Sequence, residues 1–406
     1  MTIKRHPEDF NVEEVLSRET AARISAEPGP CALYRLTKRG LGTDEAIARI
    51  AALLRLPAGS IGYAGLKDKH ASTVQYITVD VRGGCIERAP RTLEAFHVKL
   101  ERIGWLGDRL SAGDIDGNRF RVVLRSLTRR RCANLDDARE FHSMPRTRGK
   151  TLRIVNYYGD QRFGSARHGE GFAARELIRG NFEEALRLII AVPDRKDSRT
   201  RKAAKLAIAA GWGNWRGVAT GLPACPERRV VDRLAATNGD FRRGFSALPH
   251  LDRQMTIEAY QSWLWNEVAR RFIVQRCEPP FLRGVSMFGD CVFPKGTNIP
   301  ADIATLTIPL FSPRMRIEGP WSEAAESVLA SEGISLRDLR IPGMRNPYFG
   351  PLRRRLIVDA TDFVLGPVER DESSSGTVRF KRTVRFFLPR GAYGTVLLRA
   401  LEPRDR

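Results

Sequence analysis

Polar and apolar positions change their period twice along the chain. Up to about residue 155 short alternating runs prevail. LYRLTKRG (33–40), VQYITVDV (74–81), FHVKL (96–100) and RFRVVLR (119–125) carry the β-branched and aromatic content of strands. Between the first two, Gly42-Thr43-Asp44 opens a helix whose Ile47, Ile50, Ala51 and Leu54 share one face. From about 160 to 345 the period lengthens to that of helices. EGFAARELIRGNFEEALRLIIA (170–191) holds two helical stretches parted by Gly180-Asn181, and Tyr260, Trp263, Leu264, Val268 and Phe272 form an i, i+3, i+4 core stripe. The basic run DRKDSRTRKAAK (194–205) shows no apolar period and reads as a solvated loop or helix face, or as an RNA contact. After 350 alternation returns. Val378, Phe380, Val384, Phe386 and Leu388 share one parity and Arg379, Lys381, Thr383 and Arg385 the other, a strand with one greasy and one cationic face. DESSSG (371–376) is expected to be a hairpin loop. Strand-rich ends around a helix-rich middle predict an α+β fold in which one domain is inserted into another.

Composition narrows the partners. At 406 residues, 42% apolar and 28% charged, the chain has the make-up of a globular protein of two or three domains. Its 68 Lys and Arg against 47 Asp and Glu leave a net charge of +21. An Arg-dominated excess of this size favours a polyanion, because guanidinium binds phosphate bidentately and each such contact releases counterions. A generally basic protein without such a partner is the bland alternative. An anionic membrane fits less well, since the sequence has neither a lipidation motif nor a long basic amphipathic helix. The six cysteines, at 31, 85, 132, 225, 277 and 291, form no C-x-x-C and read as reduced core residues or surface thiols. MTIKRHPEDF has no apolar run after its charges and no stretch approaches the ~18 apolar residues of a membrane helix, so a cytoplasmic location is expected.

Familiar catalytic devices are missing. No phosphate loop, H-E-x-x-H, G-x-S-x-G or zinc-deaminase pattern occurs, and GWGNWRG (211–217) has the wrong spacing for a dinucleotide fingerprint. Five dense polar stretches stand out instead: KRHPEDFNVEE (4–14), GYAGLKDKHASTVQ (62–75), GNRF (117–120), NYYGDQRFG (156–164) and PRGAYGT (389–395). Each mixes Gly or Pro with aromatic and ionisable side chains, as expected where backbone approaches a ligand closely. In the second, Asp68 sits between Lys67 and Lys69, whose charges favour its ionised form. It is either a surface charge bridging one of those lysines or a prepared reactant.

In order and spacing these stretches resemble the TruD family of tRNA pseudouridine synthases. The matching segments are PEDF-x-V-x-E, A-G-x-K-D-K-H-A-x-T-x-Q, GN-x-F, NY-x-G-x-QRFG and a late G-[aromatic]-x-T, and together they span nearly the whole chain. Tyr158 and Tyr393 stand where the family commonly has Phe, and the segment 194–250 is long for a bacterial member. The resemblance implies a catalytic domain with an antiparallel sheet, built from 1–160 and 346–406, interrupted by a helix-rich α/β TRUD domain at 161–345. It implies conversion of uridine 13 of tRNA to pseudouridine by a base-flipping enzyme that needs no metal or cofactor, acts on RNA away from membranes and works as a monomer. Asp68 would be the nucleophile or base. Phe120 would stack on the target base, Asn118 would orient the nucleotide or the Asp68 loop, and Phe10 would line the pocket. Lys4 would pair with Asp68 or a phosphate, and Tyr393 would form the other stacking wall. The cationic strand face near the C-terminus would grip the target strand. A catalytically silent RNA-binding protein or RNA chaperone on the same scaffold is the competing reading, opposed by the intact loop around Asp68. An RNA methyltransferase would require a glycine-rich nucleotide loop that the sequence lacks.

Overall fold

Alternation of the LYRLTKRG kind places every second side chain on one face, and eleven segments of this character join into one sheet. The computed structural model describes residues 2–57, 59–69, 71–82, 90–95, 97–373 and 378–402. His70, Cys85, Phe96 and residues 374–376 of the expected hairpin loop lie outside them. The strands are β1 (Phe10–Leu16), β2 (Cys31–Arg39), β3 (Ile61–Tyr63), β4 (Ser72–Asp80), β5 (Thr92–Ala95), β6 (Val98–Leu106), β7 (Ile115–Leu127), β8 (Leu152–Val155), β9 (Ile357–Leu365), β10 (Glu369–Arg370) and β11 (Phe380–Pro389). Their order is β5-β6-β2-β4-β1-β7-β11-β9-β8, with β3 beside β4 and β10 beside β11.

The sheet is mixed. β1 and β4 run parallel, Asn11 opposite Ser72, whereas β1–β7, β7–β11, β2–β4 and β2–β6 are antiparallel. Within the expected antiparallel sheet the parallel pair arises because the chain leaves β1, passes through β2 and the helix Thr43–Leu53, and re-enters in the same sense. That helix lays Ala46 and Ile50 into a core with Tyr34, Leu36, Ile77, Val79 and Leu100. Ile47 and Ala51 flank the contact, half-buried, so the predicted helical face is turned by about one residue.

In β11, Val384, Phe386 and Leu388 are buried and Arg385 is exposed, as the alternation predicts. Val378 precedes the strand and is exposed. Position 382 breaks the greasy register with an arginine, which is nevertheless buried. Its guanidinium meets Asp136 at 2.7 Å and donates to the Cys132 carbonyl, which compensates the buried charge.

Two compact units result. One comprises Met1–Ile154, Lys295–Thr297 and Val358–Glu402 and carries the sheet; the other, Val155–Pro294 and Asn298–Ile357, interrupts it in sequence and is rich in helices. The second is organised on the helix His250–Arg276, which buries Tyr260, Leu264, Trp265, Val268 and Phe272. Residues of NYYGDQRFG hold a buried arginine there. The buried Arg354 donates to the Asn156 carbonyl (2.8 Å) and amide oxygen (2.7 Å) and lies over the ring of Tyr158, and the Tyr158 backbone N–H donates to Asn266 Oδ1. Nor is 194–205 without period. Ser198 caps the helix Arg199–Ala210, which buries Ala204, Lys205 and Ile208, and Lys205 pairs with Asp197 at 3.0 Å. Among the described residues no helix is long and apolar enough to cross a membrane. Cys31, Cys132, Cys277 and Cys291 are buried free thiols and Cys225 is half-buried.

Candidate active site

Register brings the aromatic residues together. Across β1, β7 and β11, Val12 faces Phe120 and Phe120 faces Phe386; one row along, Glu14 faces Asn118 and Asn118 faces Leu388. Phe120 stacks on Phe386 with centroids 4.9 Å apart, and Phe10 meets Phe120 edge-on at 6.2 Å. Phe10 and Phe120 are only 3% and 9% exposed. Gly394, first residue of the helix Gly394–Ala400, packs on this cluster so closely that a Cβ there would lie 2.8 Å from Phe120 Cε1. Tyr393, its N-cap, joins the group through that neighbour. PEDF is anchored from beneath. Asp9 accepts the His6 N–H, closing the short helix Pro7–Asp9, and its buried carboxylate binds Arg125 (2.9 Å), which also reaches Asp371.

The loop between β3 and β4 delivers Asp68. Its backbone is pinned twice. The Lys67 N–H donates to Thr43 Oγ1 (2.8 Å), and the fully buried Lys38 ammonium donates to the Leu41 carbonyl (2.6 Å) and the Asp68 carbonyl (3.3 Å). Burial pulls the Lys38 ammonium down from 10.5 to about 8; the Asp68 charge opposes the fall and that of Lys67 adds to it. The Asp68 carboxylate itself is hydrogen-bonded to Lys4 Nζ, and the two side chains are 15% and 17% exposed. Lys4 lies 4.2 Å over the Phe10 ring and holds the left-handed backbone conformation, φ +61°, a strain of a kind that collects at functional sites.

Neither neighbouring lysine bridges Asp68 in the manner of a surface K-D-K. Lys69 pairs with Glu45 (3.3 Å). Lys67 turns inward, forming an ion pair without a directed hydrogen bond to Glu14 Oε1 (2.7 Å) and donating to Asn118 Oδ1 (2.9 Å). Glu14 is wholly buried and accepts the Tyr76 N–H through its other oxygen (2.8 Å). An ammonium only donates, so the Asn118 oxygen faces Lys67 and its NH2 group is turned away as a donor.

All six residues singled out in the sequence therefore belong to one neighbourhood of the first unit. Glu14, Lys38, Phe386 and Gly394 belong to it as well and were not singled out. Glu14 and Lys38 left a signal: each continues the apolar parity of its strand, after Phe10 and Val12 in one case and Tyr34 and Leu36 in the other. The exposed Arg119, Arg121 and Arg385 occupy the reverse face of the sheet, so the cationic strand face lies opposite the aromatic cluster and does not adjoin it.

Known proteins share this architecture. Residues 1–401 match the family model described as tRNA pseudouridine synthase D (TruD). "Probable tRNA pseudouridine synthase D 2" of Methanocaldococcus jannaschii is 28% identical over 98% of this chain and 91% of its own. The tRNA pseudouridine synthase D of Aquifex aeolicus is 30% identical over 98% and 97%. In fold, the crystal structure of the "Putative tRNA pseudouridine synthase D (TruD)" from Methanosarcina mazei superimposes with a TM-score of 0.66 at 23% identity, covering 98% of this chain and 92% of that one. Matched by that family model along almost its full length, and by relatives over nearly all of theirs, the protein belongs to the tRNA pseudouridine synthase D (TruD) family of enzymes.

Proposed function

We propose that this enzyme isomerises uridine 13 of tRNA to pseudouridine, with Asp68 as the reacting group. The reaction breaks the bond from uracil N1 to ribose C1′, turns the base, and rejoins it through C5. A proton leaves C5, one is gained at N1, and no oxidation occurs. A carboxylate suffices for this, by attack on C1′ to give a covalent intermediate or by removal of a ribose proton to give a glycal. The observation that carries the reading is the Asp68 carboxylate, little exposed and paired with Lys4, whose ammonium lies over the Phe10 ring that meets Phe120 edge-on.

A uridine inside folded RNA is stacked, so it must be extruded at a cost of a few kcal/mol. Phe120 and Tyr393 receive the base, Phe10 walls the pocket, and the Asn118 NH2 group donates to the nucleotide. Lys4 holds Asp68 ionised until the RNA arrives and then shares its charge with a phosphate. The enzyme acts as a monomer; it draws on no metal or cofactor, since the isomerisation involves no oxidation and no net gain or loss of atoms. Incubating tRNA with the wild type and with Asp68→Asn, and mapping pseudouridine by carbodiimide reaction or mass, tests this. Product at uridine 13 from the wild type alone, with tRNA still bound by the variant, is expected. Equal product from both removes Asp68 as the reactant, and product at another uridine removes the assignment of position 13.

A further inference from the structure

We propose that the second unit holds a site for an unstacked nucleotide of the substrate RNA, separate from the uridine that reacts. The proposal rests on RNA being the substrate, and on observations of its own. Two loops of this unit, at 311–315 and 339–351, enclose a cavity of about 880 Å³, within the ~300–1,000 Å³ common for ligand sites. Both loops are fastened to one side chain. Gln261, buried on the helix His250–Arg276, donates to the Phe311 carbonyl (2.7 Å) and the Gly350 carbonyl (2.8 Å). Gln254, nearly two turns earlier, holds the Tyr348 backbone on both sides: it accepts the Tyr348 N–H and donates to its carbonyl. The cavity wall is therefore preformed, while the Tyr348 ring projects from it, 58% exposed.

The lining joins two chemistries. Met315, Met344 and the Tyr348 ring offer flat or polarisable apolar surface; Arg314, Arg340 and Arg345 surround it, and no acidic residue lines the cavity. A fourth cation, Arg242, lies against Gly343, where φ is +70° and an added Cβ would stand 2.5 Å from Nη1. Some arginines of this unit are neutralised by carboxylates, as in Arg162–Glu258 and Arg201–Glu227. Among the described residues no carboxylate pairs with Arg314, Arg340 or Arg345. Uncompensated guanidiniums around an apolar, ring-bearing hollow fit one occupant in particular: a base stacked on Tyr348 whose flanking phosphates meet the arginines. A duplex stem would meet the cations and leave the hollow unfilled.

The test measures the affinity of transcribed tRNA for the full chain, with turnover at saturating tRNA beside it. Tyr348→Ala is expected to weaken binding about tenfold, in line with base–aromatic stacking, with kcat unchanged. Tyr348→Phe, which keeps the ring, is expected to bind as the wild type does. Arg345→Glu is expected to lower the slope of log Kd against log salt by about one. Unchanged affinity in Tyr348→Ala, as a peptide site would give, overturns the proposal; so does an equal loss in Tyr348→Phe, or a fall in kcat alone. The two readings fail separately. If the wild type makes no pseudouridine while Tyr348→Ala still weakens tRNA binding, the pocket stands and the role of Asp68 falls.

Discussion

Replacing Lys67 by Met would strand the Glu14 carboxylate. The methionine keeps most of the stem and removes the cation that sits 2.7 Å from an oxygen with no access to water. Breaking a buried pair from one side costs about 3–5 kcal/mol, chiefly because the surviving charge is left uncompensated. Here the Tyr76 N–H still donates to the carboxylate, and Lys67 itself is 12% exposed, which places the expected loss near ~3 kcal/mol. Glu14→Gln combined with Lys67→Met removes both charges and should cost less than Lys67→Met alone, giving a coupling of about 1–3 kcal/mol. A chain of two units need not unfold in one step, so the readout should be local: hydrogen exchange at the Tyr76 amide and along β1, β4 and β7 in all four proteins. Turnover reports separately, since Asn118 loses the donor that fixes its amide. Stability of Lys67→Met within ~0.5 kcal/mol of the wild type, or strict additivity across the cycle, would refute the account of this pair.

Three further outcomes follow from the same neighbourhood. Phe120→Ala, assayed well below its melting temperature because a core aromatic is truncated, should lose turnover far more than tRNA affinity, since charge carries most of the binding; an equal fall in both would make the residue structural. Gly394→Ala forces a methyl group against the Phe120 ring, so a stability loss of about 1–3 kcal/mol and a larger fall in turnover are expected, and wild-type behaviour in both would contradict the close packing. His142, fully buried and donating to the Ala400 carbonyl, is held down to about 4 by desolvation. Between pH 6.5 and about 4 the unfolded chain therefore binds a proton that the native one refuses, and stability falls with pH by up to ~3 kcal/mol. His142→Gln should flatten this part of a urea-stability profile, and an unchanged slope would exclude His142 as its source.

Period carried the strands and long helices into view because burial on one face imposes it. What it hid were charges placed on the greasy side. Glu14, Lys38 and Arg382 each occupy a position whose parity calls for an apolar residue, and each is met by a partner remote in sequence: Lys67, the Asp68 carbonyl (which joins the nearby Leu41 carbonyl), and Asp136. Such partners follow from register, which no local pattern specifies. The pairing of Asp68 with Lys4 rather than with Lys67 or Lys69 is of the same kind. In NYYGDQRFG, dense polar and aromatic composition serves a buried arginine, as it can also serve a ligand.

β7 and β11 are neighbours in the sheet, yet the whole second unit lies between them in sequence. On the ribosome, β7 therefore emerges long before the strand that will cover it, and Phe120 must wait for Phe386 until the second unit has been made. Until then the Phe120–Phe386 ring stack does not exist. Throughout that interval β7 is an open edge, the kind of strand that recruits other chains. Arg119 and Arg121, projecting from its solvent side, put like charges on the edges of any two copies that meet and keep the half-built sheet from pairing with itself.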